Sequence, residues 1–139
     1  MKVLVPYDGS DAASEALEHA LERFPDAEIT VLHIVDEEFI DSPYGRLLVG
    51  DEELRERAEE GAESILSEAE KIAEEEDVNI HTEVAFGHPV RDVLAYAEEN
   101  DVDQIILGGK GLSNVPRLLL GSVSFGVVLH AEVPVTVVR

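Results

Sequence analysis

The chain has 139 residues, 45% of them hydrophobic, enough for one domain with its own core and too apolar for a disordered chain. Asp and Glu number 31 against 10 Lys and Arg, a formal net charge of −21, which sets DNA, RNA and anionic lipid aside as partners by repulsion. There is no cysteine, so neither disulfides nor thiolate metal sites can form.

The same charge repels itself and destabilises a compact state unless salt screens it. It fits either a simply acidic, soluble protein or, more sharply, an acidic surface of the halophilic kind in a salt-rich cytoplasm, and the second is the expectation taken forward. The lack of cysteine fits that compartment. No apolar run reaches the length of a membrane span. A strand beginning at Val3-Leu4-Val5 leaves no room for a signal peptide, so a cytoplasmic location is expected.

Lys2 to Tyr7 reads as a buried strand, a short β-branched apolar run. Asp8-Gly9-Ser10 is turn chemistry, and Ser10 is a candidate cap for the helix that follows. Ala13, Ala16, Leu17, Ala20, Leu21 and Phe24 fall at helical spacing until Pro25-Asp26 stops them. Glu28 to Val35 is a second strand, and Asp36 to Gly50 a long loop. Asp51 is placed to cap the longest helix, with Leu54, Ala58, Ala62, Ile65, Ala69 and Ile72 as its inner stripe and Glu on its solvated side. Val78 to Ala85 is a third strand. Gly87-His88-Pro89 turns the chain into a third helix carried inward by Val90, Val93, Leu94 and Ala97. Gln104 to Leu107, Ser122 to Ala131 and Pro134 to Val138 complete the pattern as strand, helix and strand.

Strand and helix alternate throughout, which predicts an α/β fold in 1–139 as a single domain: an open five-stranded parallel sheet with helices on both faces. The economical strand order is 3-2-1-4-5. It sets the ends of strands one and four side by side, at the switch point where such sheets hold ligands. Two loops would meet there. One carries Pro6-Tyr7-Asp8-Gly9-Ser10. The other runs from Gly108 through Lys110, Gly111, Ser113 and Arg117 to Gly121-Ser122. Gly108 and Gly111 can present bare amides to phosphate oxygens, and the N-terminus of the helix opened by Gly121-Ser122 suits an anion. Ser122 adds a hydroxyl. Lys110 and Arg117 add local positive charge, and with Ser113 they are candidate phosphate contacts. Asp8 can accept from ribose hydroxyls, and Asp8 or Asp36 can help hold a Mg²⁺ bridged to phosphates. The same glycines also serve tight turns, and a Gly-Ser pair caps helices with no ligand at all.

The spacing Gly108-x2-Gly111-x9-Gly121-Ser122, with Val3 to Ser10, the Gly87-His88-Pro89 turn and His130 to Arg139, resembles the universal stress protein family over essentially the whole chain. The resemblance implies an adenine nucleotide alpha hydrolase-like sheet, usually in a homodimer, and ATP, possibly with Mg²⁺, as the ligand of the members with this glycine motif. Carried over, Pro6 shapes the first turn, Asp8 contacts the ribose or phosphates, and the backbone near Val35 meets the adenine. Gly108, Gly111, Gly121 and Ser122 hold the ribose and phosphates, with Val123 alongside. Asn114 and Pro116 depart from the usual loop, and Phe125-Gly126 from the usual helix.

His19, His33, His81, His88 and His130 show no i,i+4 pair, so no zinc site is expected. No nucleophile elbow appears, and no dedicated base or water-positioning residue, so any ATP hydrolysis should be slow and no catalytic residue is assigned. The apolar terminal strand 133–138 invites pairing with its twin, which makes a homodimer the expected assembly. The expected role is a nucleotide-dependent regulator or sensor in a stress response. The alternative is an interaction protein that works through dimerisation with its cradle unused. A flavin or AMP binder of the same architecture ranks below both, because aromatics amount to only 5%.

Overall fold

The structure, a computed structural model, describes residues 1–37, 51–109 and 121–139. Within them the elements run β1 (Lys2–Pro6), α1 (Asp11–Arg23), β2 (Glu28–Asp36), α2 (Asp51–Glu75), β3 (Ile80–Gly87), α3 (Pro89–Glu99), β4 (Gln104–Gly108), α4 (Ser122–His130) and β5 (Val135–Val138). The five strands form one parallel sheet in the order β3-β2-β1-β4-β5. The chain winds from β1 outward to β3, then returns to the other side of β1 for β4, with Val3 opposite Gln104 and Leu4 opposite Ile105.

The inner strands β1 and β4 are almost unbrokenly apolar because both faces are covered, while the edge strand β3 carries His81, Thr82 and Glu83. On one face Val3, Val5, Ile29 and Val31 pack against Ala16, Leu17, Ala20 and Leu21 of α1 and Leu66, Ala69 and Ala73 of α2. On the other, Leu4, Leu32, Ile105 and Leu107 pack against Val93 and Ala97 of α3 and Val127 of α4. Each fully buried Leu, Ile or Val contributes about 1.5–3 kcal/mol of burial free energy.

The helix starts follow local chemistry. Ser10 caps α1, its Oγ accepting from the Ala13 amide at 3.1 Å. At α3 the caps are reciprocal. The His88 Nδ1 accepts from the Arg91 amide at 3.3 Å, and Asp92 accepts from the His88 amide at 2.7 Å. Pro89 sits in the first turn, where its missing N–H costs nothing. The Arg91 guanidinium bonded to Asp92, helped by the His88 amide, holds that carboxyl below the usual carboxylate range.

Several strand ends shift by one residue from the sequence reading, and three differences are larger or carry a structural reason. The third strand runs Ile80–Gly87 rather than Val78 to Ala85. Asp77 takes a left-handed conformation (φ 55°), and the Val78 amide closes the end of α2 on the Ala73 carbonyl at 3.0 Å, so the strand starts later. In α2 the fully buried positions are Ala62, Leu66, Ala69 and Ala73, while Ile65 and Ile72 are only partly buried, a stripe turned by about one position. The last helix ends at His130 and the last strand starts at Val135; the Pro134 carbonyl still accepts from the Ile105 amide at 2.9 Å. Most of the 36–50 loop, the side chain of Asp51, and Asn114 and Pro116 lie outside the described residues.

Candidate functional site

β1, β2 and β4 all end at the same side of the sheet, and a cavity of about 180 Å³ opens there. The β1–α1 connection supplies Pro6, Tyr7, Asp8 and Ser10, and the first turn of α1 supplies Ala12 and Ala13. Leu32, His33 and Ile34 of β2 and Leu107 and Gly108 of β4 form the strand side. Pro89 and Val93 of α3 and Val123 and Ser124 of α4 close the remainder. The strand order thus brings the two glycine-bearing ends together at the switch point, and the space between them is open.

The walls are tied to one another. The Tyr7 amide donates to the Leu32 carbonyl at 2.8 Å, and its own carbonyl accepts from the His33 ring at 2.8 Å. A carbonyl has no proton to give, so His33 Nδ1 carries the hydrogen, and in the neutral ring Nε2 is an acceptor. The Tyr7 hydroxyl pairs with Ser14 Oγ at 3.1 Å. Asp8 Oδ1 accepts from the Ser10 amide at 2.9 Å across Gly9, whose φ of 82° is the left-handed value that glycine adopts without strain. Ser124 Oγ donates to the Gly108 carbonyl at 3.1 Å and so pins the first turn of α4 to the end of β4.

Of the residues singled out from sequence, Pro6, Asp8, Gly108 and Val123 line the cavity. Gly121 is the N-cap of α4 and forms no side-chain cap bond, while Ser122 is exposed at the first helical position; neither is part of the lining. Val35 also falls outside it. Strand residues alternate faces, and Leu32 and Ile34 share the face covered by α3 and α4, so Ile34 reaches the cavity where its neighbour does not. Lys110, Gly111, Ser113 and Arg117 lie outside the described residues. Asp36 closes β2 opposite Gly87.

Sequence reasoning placed Tyr7 and Ser10 in the loop at the switch point without assigning them a contact, and it missed His33, Ile34, Pro89 and Ser124. A period of two along β2 could have found Ile34. Nothing local marks His33 or Ser124, whose positions depend on strands and helices distant in sequence.

Gly108 has a structural duty of its own. A Cβ built there would overlap the backbone carbonyl of Ala12, so β4 and the start of α1 approach as closely as they do only because that side chain is missing. Gly126 works likewise, since a Cβ there would come within 2.9 Å of Val90 and push α4 off α3.

A larger cavity of about 520 Å³ lies beside the start of β4, between the C-terminal ends of α3 and α4, but Glu98, Asp101, Asp103 and Glu132 line it and make it hostile to anions. Among the described residues, no three His, Asp or Glu are placed to hold a metal ion, and no helix is long and apolar enough to cross a membrane.

A parallel, doubly wound sheet with a cavity at its switch point defines an α/β protein of the Rossmann-like class. The match is closer than that class. The model of the universal stress protein family covers residues 1–139, and the chain belongs to that family. It is 37% identical to universal stress protein MJ0531 of Methanocaldococcus jannaschii, over 99% of this chain and 81% of that one. It is 34% identical to universal stress protein YxiE of Bacillus subtilis, over 99% and 98% of the two chains. The solved structure of the M. jannaschii protein MJ0577 superposes with a TM-score of 0.75 at 34% identity, over 99% of this chain and 94% of that one.

Proposed function

We propose that the protein is a cytoplasmic, ATP-binding regulator or sensor of the stress response, and that the cavity between the ends of β1 and β4 takes the adenosine end of the nucleotide. One observation carries the reading: Asp8, Gly108 and Val123, chosen from sequence as ligand residues, line a single open cavity at the switch point. Pockets for whole small ligands measure about 300–1,000 Å³. The described walls therefore enclose only part of a nucleotide, and the phosphates project toward the start of α4. There the amides of the first turn lack helical partners, and the N-cap Gly121 has no side chain to cover them. Two family members of known structure hold adenine nucleotides, cAMP in one and AMP in an Arabidopsis protein; at 24% and 22% identity their likeness to this chain is one of fold.

Any Mg²⁺ would arrive with the phosphates of the nucleotide, and Asp8 is left to the ribose. Among the described residues the lining holds one imidazole, His33, and one carboxylate, Asp8; with the phosphates directed to the start of α4 and Asp8 given to the sugar, neither is assigned as a base for hydrolysis, and turnover should be slow.

The homodimer belongs to the same reading. Among the described residues β5 pairs on one edge only, and on α4 the side chains of Phe125 (57% exposed), Val128 (42%) and Leu129 (62%) stand out apolar. Pairing of strand 133–138 with its twin would cover both.

Isothermal titration with ATP and Mg²⁺ in high salt tests the nucleotide reading. One saturable site per chain is expected, lost on filling the cavity with Val123→Trp while the melting curve stays cooperative. An absence of saturable heat with the parent protein would defeat it.

A further inference from the structure

Ser124 lies in the first turn of α4 and lines the cavity. Its hydroxyl donates to the Gly108 carbonyl at 3.1 Å. A hydroxyl has one proton and two lone pairs, so this one is committed as a donor and offers the cavity only acceptor capacity. Asp8, on the β1–α1 connection lining the same space, is a carboxylate and accepts only; Oδ1 already holds the Ser10 amide. Ser10 is the reverse case. Its Oγ accepts from the Ala13 amide at 3.1 Å and keeps its proton for a ligand. These three side chains therefore present two acceptors and one donor.

That pattern sorts the groups of a nucleotide. Phosphate oxygens only accept near neutral pH and would face the Asp8 charge directly. A hydroxyl donates and accepts at once, which is what two acceptors and a donor require. We propose that Ser124 is a sugar-reading residue: it accepts a hydrogen bond from a ribose hydroxyl, so that the site selects ribonucleotides over deoxyribonucleotides. The proposal rests on the nucleotide reading above and adds a specificity residue that the glycine motif does not contain.

The test is a cycle between a protein hydroxyl and a ligand hydroxyl. ATP, 2′-deoxy-ATP and 3′-deoxy-ATP, each with Mg²⁺ in high salt, are titrated into the parent and Ser124→Ala. The parent should bind one of the two deoxy analogues roughly three- to tenfold more weakly than ATP, the worth of one hydrogen bond. Ser124→Ala should weaken ATP by about that factor and leave the same analogue nearly unchanged. If Ser124→Ala melts, the near-isosteric pair Ser124→Thr and Ser124→Val makes the same comparison, with discrimination kept by Thr and lost in Val. Equal weakening of all three ligands would reduce Ser124 to a clamp on Gly108 and overturn the proposal. So would a parent that binds all three alike. A parent that binds none of them defeats the nucleotide reading itself, and this proposal with it; ATP bound without discrimination overturns the proposal alone.

Discussion

Residues 1–103 and 104–139 are built to different electrostatic rules. Of the 31 acidic side chains, only Glu132 falls in the second stretch, which also holds Lys110, Arg117 and Arg139. The first stretch is therefore strongly negative and the second slightly positive. The acid-rich part makes β1 to β3 and the long Glu-faced α2; the acid-poor part makes β4, α4 and β5. A formal charge of −21 does not describe a uniformly negative molecule. In the proposed reading the phosphates and a second copy would approach the acid-poor stretch, while most of the cavity wall, Asp8 included, comes from the acid-rich one.

The largest effect should come from Gly108→Val. The new side chain would collide with the Ala12 backbone and force β4 away from α1, costing about 3 kcal/mol or more. Thermal melting checks this; an unchanged midpoint would show that the acid-poor stretch keeps Gly108 for a ligand and not for packing. Next, an acid placed where none occurs, Leu129→Glu, should abolish the proposed dimer, with the variant monomeric in sedimentation velocity at concentrations where the proposal expects the parent to be dimeric. The same change at the already acidic Glu132, to Asp, should do nothing.

Salt sharpens the comparison further. The parent should melt at higher temperature as salt rises, because screening relieves self-repulsion. Replacing the exposed Glu59, Glu60 and Glu63 of α2 by Gln should raise the low-salt midpoint and flatten the slope, whereas Glu132→Gln should leave it nearly unchanged. The smallest effect concerns Asp92. Its folded pKa is depressed, so its contribution is present at neutral pH and is lost as the pH falls through the folded value, below the usual carboxylate range. Asp92→Asn should trim stability slightly at pH 7 and make no difference in strong acid, as acid titration of the two proteins would show.

Much of the fold was legible. Apolar runs without alternation announced strands buried on both faces, and strand-helix alternation announced the parallel sheet. The order 3-2-1-4-5 followed because it is the economical winding of such a chain, and it is the order found. What stayed hidden depends on tertiary contact. The turn of the α2 stripe from Ile65 to Leu66 depends on how the helix sits on β2 and β3. The packing role of Gly108 stayed hidden because the carbonyl behind it, that of Ala12, lies almost a hundred residues away. That the side chain of Ile34, next to Val35, lines the cavity follows from the alternation of a strand whose two covered faces look alike in sequence. Ser124 offered no local sign, since its meaning lies in the hydrogen bond to Gly108.

The central claim is a place: adenosine between the ends of β1 and β4. An isotope-labelled sample titrated with ATP and Mg²⁺, followed amide by amide in NMR spectra, tests it most directly. Saturable shifts should concentrate at Tyr7 to Ser10, His33 and Ile34, Gly108, and Val123 and Ser124. Shifts gathered instead around Glu98, Asp101, Ala131 and Glu132, or no saturable shift at all, would contradict the account.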